Sequence, residues 1–342
     1  MKNIKVKSIC VTLFISLFLS CNNGIEELEK RNTFLSSLAK LGNDFLSVFT
    51  SFGDSFGGTL GFNAVKSGDT GNAISAHFEK IGKGLGDTKG KLDGLAKEIS
   101  SIPHADNTGV DGVIKEVSEV LTKLIDSVSR LAGVTKEAGK ISDTNTSAAP
   151  PAGASAVDVK TVTEGVKAII EIANEVAKNS GVNFIQKGNN GEQVKNATKA
   201  VEAPVGSNNN KASANAGPNL ADEVSKADPW AMIAKIENAK TDGVILKGDD
   251  NNETGALAIG TNSSHSNVGA ATTADLAAAV AFKAMTKTGK FSAQNDNEAV
   301  AVKAAAVSAV NKVLGIINFI IRKTINLELD KIKSAVQKIK YS

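Results

Sequence analysis

The sequence predicts an all-α protein: a bundle of long helices towards both ends of the chain, a loop-rich middle, and room for a few short strands. Three observations carry this. Apolar residues recur at helical spacing in long stretches near both ends. Aromatic residues make up only 4%, with one Trp and one Tyr, so the core must be built from Val, Ile, Leu, Ala and Phe, which suits helices packed through small side chains. The six prolines (Pro103, Pro150, Pro151, Pro204, Pro218 and Pro229) all fall at the boundaries of the periodic stretches or between them.

At the start of the chain, Lys2, Lys5 and Lys7 precede an apolar run from Ser8 to Leu19, and Ser20-Cys21 follows. This is the layout of a secretory signal over residues 1–20, with a small residue before the cut. A cysteine directly after the cut has the pattern of a bacterial lipobox, in which the thiol is acylated and becomes the new N-terminus. Cys21 is therefore the candidate lipid-attachment residue, and 21–342 is read as a single helical domain. Phe18 stands three residues before Cys21, where Leu is usual, between Leu17 and Leu19. An ordinary cleaved signal and a short membrane anchor are the alternatives, although the run falls short of the roughly 20 residues a span needs.

The first amphipathic helix covers 25–57, where Leu28, Leu35, Leu38, Leu41, Phe45, Phe49, Phe52 and Phe56 share helical spacing. Gly42, Gly53, Gly57 and Gly58 weaken it towards its end. The second covers 71–102, marked by Ile74, Phe78, Ile81, Leu85, Leu92, Leu95, Ile99 and Ile102, and Pro103 stops it. The third, 110–132, repeats Val110, Val117, Leu124 and Leu131 every seven residues; its wide stripe favours an intramolecular bundle over a dimeric coiled coil. Ser142 to Ala156, rich in Ser, Thr, Ala and Pro, reads as a solvated linker before a fourth helix over 157–178.

Beyond it, 186–218, 248–271 and 289–297 are full of Asn, Gly, Lys and Ala, and read as exposed loops within a loop-rich part spanning about 186–297. Two helices are embedded there. One starts at Asp228-Pro229, an N-cap followed by Pro at the first helical position. The other is Ala-rich, from about Thr273 to Lys287. The last helix runs from about Glu298 to Ile339, and its apolar segment from Ile316 to Ile321 should lie in the core. Arg322, Lys323, Lys331, Lys333, Lys338 and Lys340 against Glu328 and Asp330 could place this helix on an anionic membrane, or simply mark a solvated face.

The chain carries 39 Lys+Arg against 36 Asp+Glu, and the leader holds Lys2, Lys5, Lys7 and no acid, so the remainder balances at 36 of each. Without a clustered positive excess, a nucleic-acid role loses its electrostatic footprint. The two cysteines are Cys10 and Cys21. With one removed and the other acylated, no disulfide forms and stability rests on packing.

No reactive constellation is legible, so catalytic, metal and cofactor sites are expected to be absent. Gly53-Asp54-Ser55-Phe56-Gly57 has the wrong spacing for a nucleophile loop, and His77, His104 and His265 are scattered. Gly82-Lys83-Gly84-Leu85-Gly86-Asp87 lacks the strand and the Lys-Ser/Thr ending of a phosphate loop; its glycines suit close helix approach or a kink. Asp249-Asp250-Asn251-Asn252-Glu253 lacks the order of a calcium loop and reads as solvated.

Several stretches resemble the variable large proteins of the Borrelia variable major protein family, which are similar to VlsE. These are the leader ending Phe18-Leu19-Ser20-Cys21-Asn22-Asn23-Gly24, then Asp228-Pro229-Trp230-Ala231-Met232-Ile233 with Lys235-Ile236, and Ala284-Met285-Thr286-Lys287 with Gly289-Lys290-Phe291-Ser292. The resemblance implies an elongated helical bundle with chain termini near the membrane and the loop-rich part distal. It further implies an outer-membrane, surface-exposed lipoprotein that is no enzyme and whose partners are the membrane, through its lipid, and host antibodies. An adhesin binding a host factor is the alternative, and a homo-oligomer is left open.

Overall fold

A computed structural model of the protein describes residues 25–57 and 64–341; the lipid-attachment candidate Cys21 lies outside them. The predicted long helices are present as α1 (Ile25–Gly57), α2 (Gly71–Ser100), α3 (Val110–Lys136), α4 (Ala156–Ser180) and α10 (Asp296–Val336), and the two embedded in the loop-rich part as α7 (Pro229–Glu237) and α9 (Thr273–Met285). Three short helices, α5 (Glu202–Val205), α6 (Ala216–Lys226) and α8 (Thr254–Ile259), and a 3-10 turn at Asn196–Thr198 were not legible. Among the described residues, strands are confined to four two-residue pieces: β1 (Ala105–Asp106) antiparallel to β4 (Lys340–Tyr341), and β2 (Thr144–Asn145) parallel to β3 (Phe291–Ser292). The fold is all-α, as expected.

The chain divides into two units, one comprising residues up to Gly57 with Lys83–Lys123 and Ile325–Ser342, the other Gly58–Gly82 with Leu124–Thr324. The described part of the first is built on apolar stripes. Phe34, Leu38, Leu41 and Phe45 of α1, Leu85, Leu92 and Leu95 of α2, Ile114 and Val117 of α3, and Leu329 and Ile332 of α10 are all buried. Polar contacts tie neighbouring helices at the rim: Lys40 to Glu98 at 3.7 Å, Ser118 Oγ donating to Asp93 at 3.3 Å, and Lys331 to Glu116. β4 seats Tyr341 edge-on against Phe34, with ring centroids 5.6 Å apart, and beneath the Arg31 guanidinium.

In the second unit, α4 is capped as its sequence directs. Ser155 Oγ accepts from Asp158 N–H, and Gly181, at φ 68°, takes the left-handed conformation that ends the helix. Asp228 Oδ1 accepts from Trp230 N–H at 2.8 Å ahead of Pro229. The Ala-rich α9 is buried along every residue. α10 passes the length and apolarity test for a membrane span, yet two thirds of its most apolar stretch is buried within the protein, which marks a core helix. Ile317, Ile320 and Ile321 are buried as expected, while Phe319 is exposed and meets Trp230 edge-on at 5.6 Å.

Three expectations are corrected. The stretches 186–218, 248–271 and 289–297 are only partly exposed: Val194, Val201, Val205, Leu257, Val268 and Phe291 within them are buried. Their polar backbone is satisfied by side chains from distant segments, so few apolar residues suffice to order them. The 142–156 linker is docked rather than solvated, because β2 pairs with β3 and Ala154 N–H donates to Ala258 O at 2.9 Å. Finally, of the glycines at 82–86, Gly86 faces open space and serves no helix approach, while Gly84 is buried and a Cβ on Gly82 would meet Val128 of α3 at 3.4 Å; a tighter approach falls at Gly165, whose Cβ would come 2.8 Å from Leu131.

Two glycines in helices separate local propensity from packing. A Cβ on Gly255 would stand 1.8 Å from the Lys240 carbonyl oxygen, whereas one on Gly86 meets nothing within 4 Å. Gly255→Ala should therefore destabilise by about 1–3 kcal/mol despite better helix propensity, and Gly86→Ala should stabilise by about 0.5–1 kcal/mol. Denaturant midpoints check both signs.

Candidate functional site

The loop-bearing second unit is held by buried polar side chains that act as clasps. Asn252, 2% exposed, donates through its carboxamide to Lys247 O, Asp249 O and Gly269 O at 2.9–3.1 Å and accepts from Lys247 N–H at 2.7 Å. The solvated reading of the acidic stretch holds for Asp249, Asn251 and Glu253, which are exposed, and fails at Asn252, the knot that joins 247–252 to 269. Asp250 Oδ1 accepts from Asn196 N–H at 2.8 Å. Asn262 binds the carbonyls of His265 and Gly206, while Asn209 N–H donates to Asn262 O at 2.8 Å. Glu202, almost fully buried, accepts from Ser213 N–H at 2.8 Å and pairs with Lys199 at 3.2 Å.

The missed helix α6 depends on side chains far away in sequence. Glu298 of α10 accepts from Asn215 N–H at 2.9 Å and Gly217 N–H at 3.4 Å at its start. Lys312, four turns later on α10, donates to the carbonyls of Val224, Ser225 and Ala227 at 2.7–2.9 Å at its end. An anion at the N-terminus and a cation at the C-terminus both match the helix dipole. Burial pushes the Lys312 ammonium below its usual range, with Asp228 opposing the shift.

Asp275, 1% exposed, joins three helices. Its Oδ1 accepts from the Thr254 hydroxyl at 2.8 Å at the start of α8, its Oδ2 from Thr272 at 2.6 Å, and Lys235 of α7 pairs with it at 2.8 Å. Thr272-x-x-Asp275 before an apolar run is a capping-box pattern that the sequence could have offered. Further along α9, Lys283 is fully buried and donates to the Ala152 carbonyl at 2.8 Å; burial pushes its ammonium down to about 7. An Ala-rich run gives no signal that its lysine is interior.

What the clasps leave outside is largely polar, with Ile245 the apolar exception beside the Asn252 clasp. Lys187, Asn190, Asn208, Ser263 and Asn267 are all exposed. The three histidines do not converge: His77 lies half-buried on α2, its imidazole pushed below the usual range first by burial and then by Lys80, His104 lies tilted against Tyr341, and His265 lies against Gly248. The glycine-rich stretches at 53–57 and 82–87 lie within α1 and α2. Among the described residues, no group of His, Cys, Asp and Glu could hold a metal ion. Cys21 lies outside them, so its chemistry rests on sequence.

Together these features define a class: a helical scaffold that fixes polar loops from beneath. Residues 45–336 match the Borrelia lipoprotein family. The chain belongs to that family, among its variable large proteins. It is 53% identical to Variable large protein 12 of Borrelia hermsii, over 99% of this chain and 93% of the relative, and 48% identical to Variable large protein 14, over 99% and 94%. The crystal structure of VlsE, the Lyme disease variable surface antigen of Borrelia burgdorferi, superposes with a TM-score of 0.70 at 29% identity, covering 89% of this chain and 99% of that one.

Asn252→Ala should cost about 1–3 kcal/mol, because it strands the buried Gly269 carbonyl together with part-buried groups of Lys247 and Asp249, and should raise amide exchange selectively across 247–270. For Lys283 the folded state disfavours the ammonium, so the unfolded chain binds more protons between about pH 7 and the usual lysine range. Stability should then rise with pH through that window by about 1 kcal/mol per unit, and the rise should vanish in Lys283→Met; urea denaturation from pH 6 to 10 reads it.

Proposed function

We propose that this protein is a lipid-anchored antigen of the outer membrane, exposed at the cell surface, whose variation among alleles evades the host antibody response. The observation that carries this is the full-length likeness to variable large proteins together with the division of labour in the second unit. Fold-determining contacts fall on buried residues such as Asn252, Glu202 and Asp275, and the exposed residues beside them make few demands on the fold. Surface positions of that kind change at little cost in stability. The lipid at Cys21 holds the chain to the membrane, host antibody is the partner that reads the loops, and no catalysis is assigned.

The anchor is tested directly. Cys21→Ala should abolish palmitate incorporation and release the protein from membranes; unchanged labelling would refute the assignment. Protease added to intact cells should remove the protein. Joint replacement of Lys187, Ser263, Ser264 and Asn267 should remove binding by antibodies raised against this chain while shifting stability by under about 0.5 kcal/mol per site. Antibody binding that survives it places the recognised surface elsewhere.

A further inference from the structure

Helix α1 carries two apolar stripes. One, containing Phe34, Leu38, Leu41, Phe45, Val48 and Phe52, is buried in the first unit. The other runs through Leu28, Asn32, Leu35, Ala39, Gly42 and Leu46, stepping by four and three residues in strict alternation. That spacing is the a/d seam of a coiled coil, with Leu28, Leu35 and Gly42 at d and Asn32, Ala39 and Leu46 at a. Leu28 is 58% exposed and Leu35 37%, and Asn32 and Ala39 are exposed as well. A Cβ on Gly42 would meet nothing within 4 Å. The seam also points away from the side of α1 where Lys40 and Ser47 meet α2.

We propose that this second stripe pairs in parallel with α1 of a second copy of the same chain in the same membrane. The choice of occupant has four supports. Periodicity at 3.5 residues matches another helix rather than a flat surface. Asn at a single a position favours a parallel, in-register pair of two strands, where the two carboxamides face each other. Ala39 and Gly42 allow the backbones to approach closely. The flanking positions are Glu29, Ser36 and Asn43 at e and Arg31, Leu38 and Phe45 at g, so each copy brings one charge of each sign to the flanks, and Leu38 and Phe45 belong to the buried stripe.

Polarity follows from the anchor, and here the inference rests on the lipidation of Cys21. Cys21 precedes Ile25 by four residues, a reach of at most about 14 Å. Every anchored copy therefore starts α1 at the membrane, so two neighbours present the seam with the same direction. Three heptads with small residues at two positions make a weak contact in dilute solution. Confinement to one bilayer supplies the effective concentration that such a contact needs.

The test uses the full chain, expressed with its leader in a host that lipidates it and reconstituted in vesicles. Single cysteines are introduced as Leu28→Cys and Leu35→Cys on the seam, and as Thr33→Cys on an exposed face away from it. Copper phenanthroline should give disulfide-linked homodimers at both seam positions and none above background at Thr33→Cys. Equal, low cross-linking at all three overturns the pairing. Cross-linking only between mixed Leu28→Cys and Leu46→Cys chains shows an antiparallel contact and overturns it equally. Adding Leu35→Glu to Leu28→Cys sets two carboxylates opposite each other; cross-linking should fall to the control level with helicity unchanged, and persistence overturns the seam. The chain without an added cysteine tests the anchor separately: a dimer through Cys21 reveals a free thiol and refutes lipidation, whereas the Leu35→Cys result still reads the seam.

Discussion

The loop-bearing unit is organised around one buried carboxylate. Asp275 sits at the start of α9, a helix buried along every residue, where an uncompensated charge would be very costly. It is compensated from three directions: two threonine hydroxyls, the first N–H of α8 at 3.2 Å, and the Lys235 ammonium of α7. Breaking such a pair by removing one partner is far more damaging than the pair's own net contribution, because a buried charge is left behind. The carboxylate therefore ties the last turn of α7 and the first residue of α8 to the start of α9. The segments that join those helices inherit their positions from that arrangement.

The same logic recurs outward from α9. Asn252 and Glu202 bind backbone groups of neighbouring segments, and α10 sends Glu298 and Lys312 to the two ends of α6. Each clasp satisfies backbone groups that a short, apolar-poor segment cannot satisfy internally. A loop ordered in this way needs only a few fixed positions, and its remaining side chains are free of structural duty. That division gives a physical account of how one helical scaffold could carry differing surfaces among related chains.

Much of the helical frame was legible because its signals are local. The stripes of α1, α2, α3 and α4 fixed those helices to within a few residues, and Asp228-Pro229 marked the start of α7. Helix α6 was missed because its three buried apolar contacts, Ala216, Leu220 and Val224, are diluted by polar residues and both its caps come from α10. Asn252 was misread because its neighbours are polar or charged and its most buried partner, the Gly269 carbonyl, lies 17 residues away. Lys283 was invisible in a run of alanines, since only the packing around α9 makes that position interior.

The sequence by itself determined the long helices at the chain ends, the near balance of 39 basic against 36 acidic residues and the scarcity of cysteine, because each depends on composition or on spacing within one segment. The tertiary structure alone decided which polar residues are buried, which loops are docked, and which stripe of α1 stays outside. Those outcomes depend on partners brought together from distant parts of the chain. Burial and satisfaction of hydrogen bonds are properties of the assembled neighbourhood, and no single segment encodes its neighbourhood.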